Sequence, residues 1–298
     1  MRRPTPLPVS LVDRPFTAPE AIASGVSRRR LRSGDLARPF RGVRAPRADE
    51  AVAHRCAAYA TVMPPGQVFS HATAAMLLGL PLPRAVERDA RVHVTALEGG
   101  RAPRRSGVAG YSTTGHPLVR QVRGLRVLAP ADAWCSLAGL LRHDDLVAAG
   151  DRLVGLPSPM ATFDEIDRAI VRHGNRAGAA KLRRARADLR ADSYSRPETL
   201  ARLALIRAGL PEPEPNGVIE LRSGRRTRGD LVFRAYRVLV EYDGEQHRLD
   251  LEQWTTDVTR LNDLAADGWL VIRATKRMPR AELVARAESA LLERGWRR

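Results

Sequence analysis

Apolar residues recur at helical spacing at Leu200, Leu203 and Ile206 and the run closes at Gly209, which predicts a helix opened by Ser195-Arg196-Pro197-Glu198. That tetrapeptide reads as a capping box, with Ser195 as N-cap and Glu198 reaching back from the third helical position. Pro211, Pro213 and Pro215 then forbid regular structure. Strand patterns follow at Gly217 to Leu221, Asp230 to Phe233 and Val238 to Tyr242. A helix from Leu251 to Ala266 buries Trp254, Val258, Leu261 and Ala265 and stops at Gly268. A strand at Trp269 to Ala274 and a helix at Arg280 to Glu293 complete the order α-β-β-β-α-β-α over residues 193–298.

Upstream, the pattern separates residues 1–65, 66–158 and 159–192. In the first, Thr17-Ala18-Pro19-Glu20 forms another capping box for a short helix that ends at Gly25, and a second helix begins at Ser27. That spacing fits a helix-turn-helix, with Phe40-Arg41-Gly42-Val43 as a wing. The second mixes helices with strands near Val92 to Thr95 and Leu125 to Leu128, an α+β region. Within it Ser70 reads as an N-cap, His71 as a packing residue and His143-Asp144-Asp145 as surface, since no second metal-spaced partner accompanies it. The third is an amphipathic helical connector, interrupted at Gly174 and Gly178. The fold class is α/β, and a chain of 298 residues fits several domains.

Charge narrows the partners. The formal net charge is +17, which favours a polyanion, nucleic acid first. Lys181 and Lys276 are the only lysines, and arginine dominance of this kind is also what a GC-rich genome writes, so only part of the charge counts as functional. Arg28, Arg29, Arg30 and Arg32 fall on the expected second helix and Arg41 and Arg44 flank the wing, where they suit contacts to DNA phosphates and grooves. No apolar run approaches a membrane span and Met1 to Ser10 lacks a signal core, which reads as cytoplasmic with no membrane partner. Cys56 and Cys135 lack CxxC spacing, which suits a reducing compartment and argues against a zinc ribbon.

The chemistry concentrates near residue 240. Glu241 and Asp243 stand two apart in a strand, so both point to one face, roughly 6–7 Å apart. A hairpin through Arg222-Ser223-Gly224-Arg225 brings Asp230 alongside Glu241. Like charges gathered in this way favour a bound cation, and hard carboxylate oxygens suit Mg²⁺ or Mn²⁺ as ligands to Asp230, Glu241 and Asp243. Such an ion serves phosphodiester hydrolysis. His247 stands where a general acid or base is needed; Arg260 suits a phosphate, and Asp257, three residues before it, suits orienting His247 or Arg260. Taken alone, Glu241 and Asp243 also fit exposed turn acids beside Gly244.

The runs Gly229-Asp230-Leu231-Val232-Phe233, Val240-Glu241-Tyr242-Asp243-Gly244-Glu245-Gln246-His247, Asp257-Val258-Thr259-Arg260-Leu261-Asn262 and Gly268 to Arg273 resemble a domain-of-unknown-function family related to the very-short-patch-repair (Vsr) endonucleases, of the PD-(D/E)XK class. The resemblance implies a restriction-endonuclease-like mixed sheet flanked by helices, metal binding at Asp230 and Glu241, and Glu198 as an additional acid. The lysine usual two residues after the glutamate is Asp243 here, which transfers its role to His247. Phe16-Thr17 to Gly25-Val26-Ser27, Arg41-Gly42-Val43 and Ser70 to Ala75 resemble AbiEi-type antitoxins of type IV toxin-antitoxin systems, which implies a DNA-binding winged helix. Two functions result: a Mg²⁺-dependent DNA endonuclease delivered by a winged helix, or an antitoxin-like DNA-binding regulator, with a toxin or other protein partner, whose nuclease fold is weakly active or inactive.

Overall fold

The computed structural model describes residues 4–46, 51–243, 251–275 and 277–298, with Asp243 and residues 251–257 described by backbone alone. The chain opens with β1 (Phe16–Thr17), α1 (Ala18–Ala23) and β2 (Val43–Arg44), and β1 pairs antiparallel with β2. The capping box of α1 is complete: Glu20 N–H donates to the Thr17 hydroxyl and Thr17 N–H to the Glu20 carboxylate. The second helix expected from Ser27 is instead a single 3-10 turn, Arg30–Arg32. Gly25 and Gly34 bracket too few residues to repay helix nucleation, and Leu31 and Leu36 turn inward onto Leu11, Phe16 and Ala21.

Next come α2 (Val52–Ala60), β3 (Gln67–Phe69), α3 (His71–Leu78), α4 (Arg84–Glu87), β4 (Val92–Ala96), β5 (Val108–Ser112), β6 (Val119–Val122), β7 (Leu125–Leu128) and α5 (Pro130–Ser136). Their strands form a mixed sheet in the order β5-β4-β3-β7-β6. Every residue of β4 is buried, His93 and Thr95 included, as expected of a strand covered on both faces. Ser70 stands at the N-cap of α3, but its hydroxyl makes no cap bond; it accepts from Thr95 and meets His71 Nδ1 at 2.9 Å. The His71 ring stacks on Tyr111 at 3.6 Å between centroids, and burial, with His93 and His173 adding, pushes its pKa down to about 3. His71 is a packing residue, held neutral.

The remaining elements are α6 (His143–Val154), α7 (Phe163–His173), α8 (Ala179–Ala187), α9 (Arg196–Arg207), β8 (Glu214–Glu220), β9 (Arg226–Phe233), β10 (Val238–Asp243), α10 (Leu251–Ala266), β11 (Leu270–Thr275) and α11 (Arg280–Glu293). Contacts group residues 1–140 with 163–183, and residues 141–162 with 184–298. The segment boundaries read from periodicity cut across this grouping, because α6 joins the C-terminal unit through charge. Asp144 pairs with Arg207 and Asp145 with Arg196, both arginines on α9, while His143 Nε2 meets Asp188 at 2.7 Å. His143-Asp144-Asp145 is therefore an internal contact of that unit rather than free surface.

In the C-terminal unit the sheet order is β11-β10-β9-β8, with β10 parallel to β11 and the other pairs antiparallel. One face packs Leu231, Phe233, Val238 and Val240 against Leu205 of α9 and Ala287 and Leu291 of α11. The other packs Val232 and Leu239 against Leu264 of α10. This mixed sheet between helices follows the predicted element order. Pro215, expected to lie outside regular structure, sits within β8; β8 is the edge strand, where a missing N–H is tolerated.

Candidate active site

The register of the sheet assembles the acids. Val240 pairs with Leu231, so continuing one step sets Glu241 beside Asp230. On the other side of β9, Pro215 pairs with Leu231 and Gly217 with Gly229, which sets Asn216 beside Asp230. A Cβ at Gly229 would lie 2.2 Å from Leu239 Cδ1, so glycine there lets β9 close on β10 immediately before Asp230. Asp230 and Glu241 share the face of Val232 and Leu239 by strand alternation, the face that α10 covers.

Leu264 anchors α10 on that face, and Arg260, one turn earlier, points the same way. Its guanidinium donates to the Glu241 carboxylate and, at 3.0 Å, to the Arg228 carbonyl. Asp230 accepts the Tyr242 amide at 2.6 Å. Burial nevertheless pushes the Asp230 pKa up to about 6; the Glu198 and Glu241 carboxylates push the same way, against the Tyr242 bond and Arg260.

Glu198 is buried at the start of α9 and joins from the β8 side. The expected capping box is half made: Glu198 N–H donates to the Ser195 hydroxyl, while the Glu198 carboxylate accepts from Tyr194 N–H at 3.1 Å instead of reaching Ser195. Asn216 explains the change, since its Nδ2 donates to the same carboxylate at 2.9 Å and to the Asp192 carbonyl. Asn216 has φ 48°, a left-handed conformation that asparagine tolerates better than most residues. Flanked by Pro215 and Gly217, Asn216 carries no sequence signal for this role.

A cavity of about 750 Å³ is lined by Arg152, Leu156, Ser158, Ser193, Tyr194 and Arg228, with Asp192 also at its wall; Tyr194, whose N–H meets Glu198, links it to the acids. Arg228 donates to the Tyr194 hydroxyl at 3.2 Å. Neither Arg152 nor Arg228 makes an ion pair among the described residues, which leaves two cations and an aromatic ring on the cavity wall.

Of the residues expected to act together, Asp230, Glu241, Glu198 and Arg260 form one electrostatic cluster. Asp243 is the last residue of β10, opposite Thr275, and Asp257 lies on α10; the side chains of both, and His247 altogether, fall outside the described residues. Among the described residues, no group of three His, Cys, Asp or Glu side chains converges as a metal-ligand set. The N-terminal arginines divide. Arg28, Arg29, Arg32 and Arg41 are exposed, whereas Arg30 pairs with Asp35 and Arg44 donates to the Leu31 and Val43 carbonyls. Arg30 and Arg44 are thus held within the fold, where sequence had offered them to DNA.

No family model matches this chain, and no solved structure matches it. It is similar to the "Uncharacterized protein MT2308" of Mycobacterium tuberculosis strain CDC 1551 / Oshkosh, 29% identical over 244 residues that cover 81% of this chain and 86% of the relative. The "Uncharacterized protein Rv2248" of strain ATCC 25618 / H37Rv is similar to the same extent. No helix among the described residues is long and apolar enough to cross a membrane.

Proposed function

We propose that the C-terminal unit hydrolyses phosphodiester bonds in DNA with the help of a divalent cation. The observation that carries this reading is the register that sets Asp230 beside Glu241: burial first, and then the Glu198 and Glu241 carboxylates, push the Asp230 carboxyl up to about 6, a penalty that a cation would relieve. Asp230 and Glu241 fit Mg²⁺ or Mn²⁺, which take hard oxygens and keep several waters, so two carboxylates suffice. The bound ion would polarise the phosphodiester and lower the pKa of an attacking water. Arg260 would then exchange Glu241 for a non-bridging phosphate oxygen, an acceptor that suits its planar fork equally well. Arg152 and Arg228 would hold a neighbouring phosphate and Tyr194 would face a base.

The exposed Arg28, Arg29, Arg32 and Arg41 supply the attraction that brings DNA to the protein. Changing all four to glutamine is expected to lower the slope of log affinity against log salt by about 3 to 4. Fluorescence anisotropy across a salt series measures this, and an unchanged slope would remove these residues from the interface.

The purified full chain with Mg²⁺ or Mn²⁺ is expected to nick or cut a panel of duplex, mismatched and single-stranded DNA, and Asp230→Ala or Glu241→Ala to abolish cutting with unchanged circular dichroism. Equal residual cutting by both variants would trace the activity to a contaminant. A second reading rests on the Arg260–Glu241 ion pair, which already neutralises one of the two carboxylates. It makes the protein an antitoxin-like DNA-binding regulator with an inactive nuclease fold. DNA binding without cleavage by the wild type, with cleavage gained in Arg260→Gln, would select that reading.

A further inference from the structure

We infer that the N-terminal unit carries a binding site for an organic polyphosphate of nucleotide size, in the cleft lined by the half-buried Arg55. This goes beyond the nuclease reading and stands without it. The cleft has a volume of about 920 Å³, within the range of small-molecule sites. Val12, Pro15, Phe40, Val52, Ala58 and Met76 give it an apolar wall. Arg14, Arg38, Arg55 and Arg88 line it as well, and they outnumber the acids Asp13 and Glu87.

Arg55 decides the chemistry. It projects from α2, its Nε is sealed from solvent, and that atom has no hydrogen-bond partner. Among the described residues no carboxylate pairs with it, whereas Arg14 is neutralised by Glu20. A sealed N–H without an acceptor costs stability unless a ligand oxygen is brought to it, and the terminal nitrogens of Arg55 stay open to that ligand. A guanidinium presents a fork that matches phosphate oxygens, and it does so here beside apolar surface able to take a flat organic body. Arg38 and Arg88 are exposed and so belong to the mouth of the cleft. Arg55 on the wall with Arg38 and Arg88 at the mouth matches a chain of phosphates better than one carboxylate. No loop or terminus among the described residues supplies that charge from within.

Titration calorimetry of the full chain with ATP and with inorganic pyrophosphate, in EDTA and about 0.15 M salt, tests the site apart from any metal-dependent chemistry. Saturable one-to-one binding of ATP is expected. Arg55→Met is expected to weaken it by tenfold or more and, having removed a sealed N–H that lacks an acceptor, to raise the melting temperature of the ligand-free protein. Ala90→Trp, at an exposed lining position, is expected to block binding without touching the core, and Arg123→Met, in the exposed turn between β6 and β7, to leave it intact. Pyrophosphate binding as tightly as ATP would assign recognition to the phosphates, and tighter ATP binding would add the base; both support the site. Absence of saturable binding of either probe, full binding by Arg55→Met, or a lower melting temperature for ligand-free Arg55→Met would overturn it.

Discussion

Asp230→Asn is expected to stabilise the metal-free protein at neutral pH while abolishing the proposed cleavage. The folded-state pKa of Asp230 lies at about 6, against an ordinary carboxylate value near 4. Below about pH 4 both folded and unfolded chains hold the proton and the group contributes nothing differential. As pH rises towards 6 the unfolded chain releases its proton while the folded chain keeps it, so stability falls across that window and the full penalty stands above it. At about 1.4 kcal/mol per pKa unit the penalty is of order 1–3 kcal/mol after allowance for partial exposure, or several degrees of melting temperature. Asparagine keeps an oxygen for the Tyr242 amide and removes the charge. Thermal unfolding of wild type and variant should therefore coincide near pH 4 and separate above pH 6. Mg²⁺ should raise the melting temperature of the wild type alone, and a separation that is independent of pH would show that the Asp230 charge is not the strained element. Loss of cleavage by about a thousandfold or more is the expected companion effect, since one of two ion ligands is gone.

How much of this the sequence revealed depended on which force carries each feature. The α-β-β-β-α-β-α order from α9 to α11 was legible because each element buries an apolar face with its own period, 3.6 or 2. Asp230 beside Glu241 was legible for a related reason: two apolar strands joined by the short Arg234–Tyr236 turn have little freedom of register. Asn216 was not, since its role depends on a left-handed backbone inside an edge strand and on a hydrogen bond to a helix. The half-made box at Ser195 failed for the same reason, a competing donor that lies distant in sequence. The helix expected from Ser27 failed because its apolar residues serve a small local core better as a turn. The membership of α6 in the C-terminal unit was hidden because acid–arginine pairing between helices leaves no trace in hydrophobic periodicity.

The same pairing sets the largest expected loss of stability. Asp151 of α6 and Arg202 of α9 have side chains only 1% exposed and meet at 3.1 Å. The carboxylate also accepts from the Thr199 hydroxyl at 2.8 Å and the Arg190 amide at 2.8 Å, and Arg202 donates to the Asp188 carbonyl. Burial still pushes the Asp151 carboxyl above the usual range, so its charge is held against a desolvation penalty. Arg202→Met removes the cation and leaves a buried carboxylate facing apolar surface, which is expected to destabilise the protein by about 3–5 kcal/mol. Asp151→Leu combined with Arg202→Met takes both charges out together and is expected to recover part of that loss, the remainder being the Arg190 amide and Asp188 carbonyl left without these partners. Urea unfolding of the wild type, both single variants and the double variant closes the cycle. A double variant as unstable as the sum of the singles would mean that the pair itself contributes little, and that α6 is held to α9 mainly by Asp144 with Arg207 and Asp145 with Arg196.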